Sequence, residues 1–315
     1  MHVYRWDLDK TYLETDFHSL RGLLRSATEE ASAKVTAPGA AAILSALSAA
    51  PNNRIVIVSG SPTQLRPVLE EKLRLDGVRF DQLVLKDNLD NLKRGRVRAI
   101  RGQLGYKLPQ LLDLRLTTDK SLKETLFGDD AEVDALVYSL YADALAGRLT
   151  GRQVAAAMAA GGAYPDEIEG AVGALARSGQ VDAVERIYIR LAQGTAPQRY
   201  SPLGGRVVPV HSWLQAALVL RTDGHLDAEA VLRSADAVLA AGTRPDEAAA
   251  IVQDIVRRGF VREELARAQP WPEEMARVTL QKLDRIGKGD RERPSGPPEA
   301  PIDYPGLLRA WHKPA

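Results

Sequence analysis

"RIVIVSGSPTQ", residues 54–64, decides how the N-terminal half of the chain folds. Four β-branched residues in a row, Ile55–Val58, run into Ser59 and Gly60. A short continuous apolar run that ends in small residues reads as a strand buried on both faces, as in parallel sheets. Ser61, Pro62 and Gln64 then offer a hydroxyl N-cap, a first-turn proline and a capping-box partner for a helix. Pro67 fits that helix poorly, so it is expected to kink or start late.

The same grammar extends to both sides. Val3–Trp6 reads as a strand, Pro38–Ala49 as a helix and "DQLVLKD", Asp81–Asp87, as a strand. Lys107 is expected to precede a helix through Leu114, and Thr125–Phe127 to be a strand running into "GDD". Strands alternating with helices predict a Rossmann-like α/β fold, a parallel sheet flanked by helices. Ligands of such sheets bind beyond the carboxyl ends of the strands. Asp7, Ser59 and Asp129 each fall at such an end, so they are predicted to converge.

Asp7 also has Asp9 and Thr11 close behind it in "DLDKT". Neighbouring carboxylates repel and need either solvent or a cation. The pattern therefore reads as a polar strand end or as a phosphoryl-transfer site.

From about residue 141 the strands are expected to stop and alanine-rich helices to take over, as an all-α C-terminal domain. A helical unit recurs there: "PDEIEGAVGALARSGQV" from Pro165 and "PDEAAAIVQDIVRRGFV" from Pro245. Val172/Val252, Arg177/Arg257, Gly179/Gly259 and Val181/Val261 match at one fixed offset. Acids in the first turn and arginine then glycine at the end are helix punctuation. The expected division is residues 1–142, a helical domain with internal duplication over 143–286, and a disordered tail over 287–315 in which "IDYPGLLRAWH" is either a docking segment or a frayed end. "QRYSPLGGRVVPVHSW", residues 198–213, interrupts the helices. Its Arg199, Arg206 and His211 are candidates for reaching a substrate.

Composition narrows the function classes. The 315 residues are 45% apolar with a net charge of +1, which argues against nucleic acid as a partner. There is no cysteine, hence no thiolate chemistry or thiolate metal site. No apolar run reaches the roughly 18–20 residues that span a bilayer, and no signal peptide is expected, so the default location is cytoplasmic. Five scattered histidines give no zinc-type spacing, and His2 and His18 read as surface residues. Lys93 in "NLKRGRVR" reads as part of a solvated basic face, and Lys10 as pointing away from its acidic neighbours.

Four elements in order, Asp7-x-Asp9-x-Thr11, Ser59, Lys107 and Gly128-Asp129-Asp130 with Asp134, resemble the haloacid-dehalogenase-like phosphatases. "DLDKT", "PGAAAILSAL", "VSGSPTQL", "GYK" and "LFGDDAEVDALVY" look most like the catalytic domain of actin-patch phosphatidate phosphatases. The resemblance covers residues 1–142. It implies Asp7 as nucleophile, Asp9 as acid and base, Ser59 and Lys107 on the transferring phosphoryl group, and Thr11 and Gly60 near the substrate. It implies Mg²⁺ held by Asp7, Asp129 and the Asp9 carbonyl, with Asp130 and Asp134 as ligands or orienting residues. The implied substrate is a phosphomonoester, a lipid phosphate such as phosphatidate or a small molecule. Gly60 stands where the family usually has alanine, and Thr63 where it often has an aromatic; both positions flank the substrate. The rival reading is an interaction protein whose helices bind a protein partner and whose phosphatase-like domain is regulatory or inactive.

Overall fold

The structure, a computed structural model, describes residues 1–14, 30–87, 102–286 and 293–311. Lys93 and His18 lie outside the described residues. Six parallel strands form one sheet: β1 (His2–Trp6), β2 (Asn53–Pro62), β3 (Gln82–Lys86), β4 (Lys123–Asp129), β5 (Val184–Arg190) and β6 (Val207–Val210), in the order β3-β2-β1-β4-β5-β6. Helices cover both faces, and the C-terminal region is largely helical. The α/β class expected from the sequence is therefore observed.

The expected extent of the sheet is corrected. Strands do not stop near residue 141, because β5 and β6 come from the second half and extend the same sheet past β4. Register explains the attachment. Trp6 pairs with Phe127, Phe127 with Tyr188 and Tyr188 with Val208 across four strands. Trp6 and Phe127 stack at 4.0 Å, and Phe127 and Tyr188 at 5.0 Å. Each such aromatic pair adds about 0.5–1.5 kcal/mol beyond its buried area. Trp6 is the last residue of β1 and Phe127 lies two residues before the end of β4, so the ladder fixes the two strand tips relative to each other.

The helix after β2 starts late, as its proline demands. β2 runs through Pro62, a 3₁₀ turn follows over Thr63–Leu65, and α2 (Arg66–Leu75) begins with Pro67 in its first turn. Before it, α1 (Ala40–Ala49) packs beside β2. Lys107 lies inside α3 (Leu104–Leu116) rather than ahead of it.

The recurring helical unit has a clear place in the fold. After β4 come α4 (Asp134–Leu145), α5 (Gly151–Ala160) and α6 (Pro165–Ser178). After β6 come α7 (Trp213–Thr222), α8 (Ala228–Ala240) and α9 (Pro245–Arg257). The matching segments are α6 and α9, each with proline and two acids in its first turn. The first trio packs into the core on one face of the sheet and the second trio into the core on the other.

Residues 293–311 of the presumed tail are packed. Arg206 donates its backbone N–H to Gly296 at 2.9 Å, and α12 (Tyr304–Trp311) buries Tyr304, whose hydroxyl donates to Asp143 at 2.5 Å. α10 (Glu263–Arg267) and α11 (Glu273–Leu283) complete the second half.

Candidate active site

β1 delivers Asp7 to the sheet edge, where its N–H donates to the Phe127 carbonyl at 3.0 Å. The chain then turns sharply: Tyr12 and Leu13 both donate N–H groups to Leu8, and Lys10 takes φ 59°. Among the described residues, Lys10 is the one non-glycine in the left-handed region. Holding it there costs on the order of 1–3 kcal/mol. The turn brings the Thr11 hydroxyl back between two carboxylates, 3.1 Å from Asp7 Oδ2 and 3.1 Å from Asp129 Oδ2. The second half steadies it: Trp213 Nε1 donates to the Thr11 carbonyl at 2.9 Å and Arg190 Nη1 to the Lys10 carbonyl at 2.8 Å.

β4 ends in Asp129, and Asp134 opens α4 directly against it. A Cβ on Gly128 would lie 2.4 Å from Asp134 Oδ2 and 2.7 Å from its Cβ, so the close approach requires glycine. Asp7, Asp129 and Asp134 are all buried, with one oxygen from each within 4.8 Å of the others.

Lys107 reaches this cluster from α3 with no solvent exposure. Its Nζ lies 2.6 Å from Asp134 Oδ1, 3.1 Å from Asp7 Oδ1 and 3.3 Å from Glu132 Oε2. Burial works against its charge, but the Asp134 and Asp7 carboxylates outweigh that and hold the ammonium protonated above its ordinary range. For Asp7 the order is reversed. Burial pushes its carboxyl well up, with repulsion from Asp134, Glu132 and Asp129 adding to it and Lys107 opposing. Burial, Asp134 and Glu132 push Asp129 up in the same way.

Asp9 turns toward β2. Its Oδ2 accepts hydrogen bonds from Ser61 Oγ at 2.7 Å and Ser59 Oγ at 3.3 Å, while the Ser61 N–H donates to Ser59 Oγ at 3.0 Å. Gly60 sits between these serines under Gln103, where a Cβ would come 2.5 Å from Gln103 Nε2.

The structure thus gathers Asp7, Thr11, Lys107, Asp129 and Asp134, with Asp9, Ser59 and Gly60 beside them. It takes Asp130 elsewhere. That carboxylate accepts the N–H groups of Gln193 at 2.7 Å and Thr195 at 3.0 Å, so it braces the loop after β5. Arg199 and Arg206 have structural partners as well: Arg199 stacks on Trp311 at 4.4 Å, and Arg206 donates to Asp143 at 2.6 Å. His211 engages the Gln215 side chain through its backbone N–H at 2.8 Å. Three neighbours escaped the sequence reading. Glu132 accepts from Lys107 and, at 2.8 Å, from Gln103 Nε2, and Ser61 binds Asp9. The run "GDDAEVD" held the signal for Glu132, a fourth acid in the same loop.

Buried carboxylates around an ammonium, with hydroxyls at hand, lie at the carboxyl end of a parallel sheet, where ligands of such sheets bind. Residues 6–151 match the family model described as phosphatidate phosphatase APP1, catalytic domain. That segment runs from the end of β1 to the first residue of α5 and contains every site residue named above, so this part of the chain is similar to the catalytic domain of the APP1 phosphatidate phosphatases. Searches of curated proteins and of solved structures return no match. No helix among the described residues is long and apolar enough to cross a membrane.

Proposed function

We propose that this chain is a Mg²⁺-dependent phosphomonoesterase working through an aspartyl-phosphate on Asp7, with a lipid phosphate such as phosphatidate as substrate. The observation that carries it is the cluster of Asp7, Asp129 and Asp134 around Lys107. Among the described residues, Lys107 Nζ lies within 3.3 Å of Asp7, Glu132 and Asp134, and Asp129 joins Asp7 and Asp134 in one buried carboxylate cluster. The single Thr11 proton serves two carboxylate oxygens. This deficit of positive charge and of donors, on an all-oxygen set, fits a hard dication.

Asp7, Asp129 and the Asp9 carbonyl would hold Mg²⁺, which when bound neutralises phosphoryl oxygens and so lets an anionic nucleophile approach. Asp7 forms a bond from a carboxylate oxygen to phosphorus while the ester P–O bond breaks. The departing alkoxide takes a proton from the Asp9 carboxyl, which must first turn from Ser59 and Ser61. In the second half a water attacks phosphorus, Asp9 takes its proton, and the bond to Asp7 breaks to release inorganic phosphate. Ser59 donates to the phosphoryl oxygens. Lys107 opposes the burial that raises the Asp7 carboxyl and balances phosphoryl charge, a bound cation would add to that opposition, and Asp134 orients Lys107 rather than contacting substrate.

The test is hydrolysis of phosphatidate in mixed micelles and of a soluble aryl phosphate by the full chain. Release of phosphate that stops with excess chelator and returns with Mg²⁺ is expected. Full activity in chelator overturns the mechanism; cleavage of the aryl ester alone overturns the lipid assignment.

A further inference from the structure

At the opposite edge of the sheet, where the strands begin, three side chains far apart in sequence meet. His2 opens β1, Glu185 lies near the start of β5, and His225 sits in the turn between α7 and α8. Contrary to the surface position expected for it, His2 is only 7% exposed. One nitrogen or oxygen from each of the three lies within 4.8 Å of the others. Glu185 Oε2 is 3.8 Å from His2 Nδ1 and 3.5 Å from His225 Nε2.

We propose that His2 Nδ1, His225 Nε2 and Glu185 Oε2 bind a divalent transition ion of the zinc class. Bonds of about 2.0–2.1 Å in a tetrahedron place ligand atoms about 3.3 Å apart, so small adjustments close the two observed separations. Both rings are held from behind. His2 Nε2 lies 2.9 Å from the Thr125 hydroxyl, and His225 Nδ1 lies 2.9 Å from the Tyr4 hydroxyl. With these outer nitrogens donating, the inner ones present lone pairs to the same point, the arrangement that orients imidazole ligands on metals. His225 Nε2 is buried and makes no aligned hydrogen bond among the described residues, which a metal bond would remedy. Two nitrogens and a carboxylate suit zinc better than magnesium. The Glu185 side chain is 39% exposed, which gives the ion a way in and leaves a coordination position for water. The ion would tie the first strand to β5 and to the helical trio on one face.

The test uses the full chain, stripped of metal and kept in excess Mg²⁺ so that the acidic cluster is saturated. Titration with Co²⁺ should give one equivalent bound with an enhanced visible spectrum, displaced by Zn²⁺. Glu185→Gln should weaken Zn²⁺ binding by at least about 100-fold, and Tyr4→Phe by about 10–100-fold, the usual cost of losing a group behind a ligand. Circular dichroism should be native in both, and phosphate release by Glu185→Gln unchanged. Asp129→Asn should keep the Co²⁺ spectrum. Absence of binding, equal affinity in Glu185→Gln and the parent protein, or loss of the spectrum only in Asp129→Asn overturns the proposal. Because the metal-binding and spectral readouts need no phosphatase activity, failure of the catalytic reading would leave the result interpretable.

Discussion

Two buried ionic clusters sit on the same pair of strands and obey opposite rules. Toward the amino ends, Glu124 on β4 is clasped by Arg5 on β1, through Nε at 2.9 Å and Nη2 at 2.8 Å, by Arg115 at 2.8 Å and by the Tyr141 hydroxyl at 2.7 Å. At the carboxyl ends, Asp7, Asp129, Asp134 and Glu132 crowd around Lys107. In the first cluster cations and donors exceed acids, and Glu124 is held down to about 2: burial alone would raise it, but Arg5, Tyr141 and Arg115 override that. In the second, acids exceed cations and burial drives them up. A matched cluster is finished by the fold. Under the proposed function, a cation and a substrate balance the unmatched one.

Five perturbations separate the two. The largest effect is expected for Asp7→Asn, nearly isosteric but neither nucleophile nor anion. Phosphate release should fall about 10³-fold or more, some 4 kcal/mol of barrier, with the thermal midpoint close to that of the parent; retention of a tenth of the rate removes Asp7 from its role. Next comes Glu124→Ala, which strands two arginines and should cost about 3–5 kcal/mol in denaturant unfolding. The pH dependence has a definite sign. Because folding lowers the Glu124 carboxyl from 4.5 to about 2, its contribution is complete above pH 4.5 and is lost as pH falls toward 2. Stability of the parent measured from pH 6 to 2 should show this loss, and Glu124→Gln should lack that component.

Mg²⁺ should act on one cluster only. At about a hundred times its dissociation constant it should stabilise the parent by about 2.7 kcal/mol, an increment that survives in Glu124→Gln and vanishes in Asp129→Asn; an equal increment in both variants would place the ion elsewhere. The smallest effect belongs to Thr11→Val, which removes the proton between Asp7 and Asp129. The Mg²⁺ concentration for half-maximal activity should shift about tenfold, roughly 1.4 kcal/mol, and Thr11→Ser should restore it. No shift in the valine variant would make that hydroxyl a bystander.

The comparison also shows what a sequence discloses. Asp7, Ser59 and Asp129 were legible because β-branched runs deliver them to strand ends, and parallel strands bring those ends to one edge. Asp130 misleads for an equally simple reason: consecutive residues in extended chain point to opposite sides, so Asp129 and Asp130 could not both face the site. Gln103 and Ser61 enter through contacts between elements, which no local pattern encodes, whereas Glu132 was one more acid in a run already read. β5 did leave a trace, since "VERIYIR" carries Val184, Ile187, Tyr188 and Ile189, but alanine-rich helices on both sides mask it. β6 has four residues, too few for a period to register. The trio of His2, Glu185 and His225 is invisible in sequence because its members come from three separate elements.

The sheet that continues past β4 has a consequence for how the polypeptide comes apart. The family match stops at Gly151, yet Tyr188 on β5 completes the aromatic ladder, and Trp213 and Arg190 hold the turn that carries Lys10 and Thr11. A polypeptide ended at that boundary would present β4 as a bare edge strand, with unpaired amides and an uncovered Phe127, a template for aggregation. The region recognisable by ancestry is therefore smaller than the unit that melts. Amide protons of β1, β4 and β5 should exchange through one shared opening, and the two halves should unfold in a single transition.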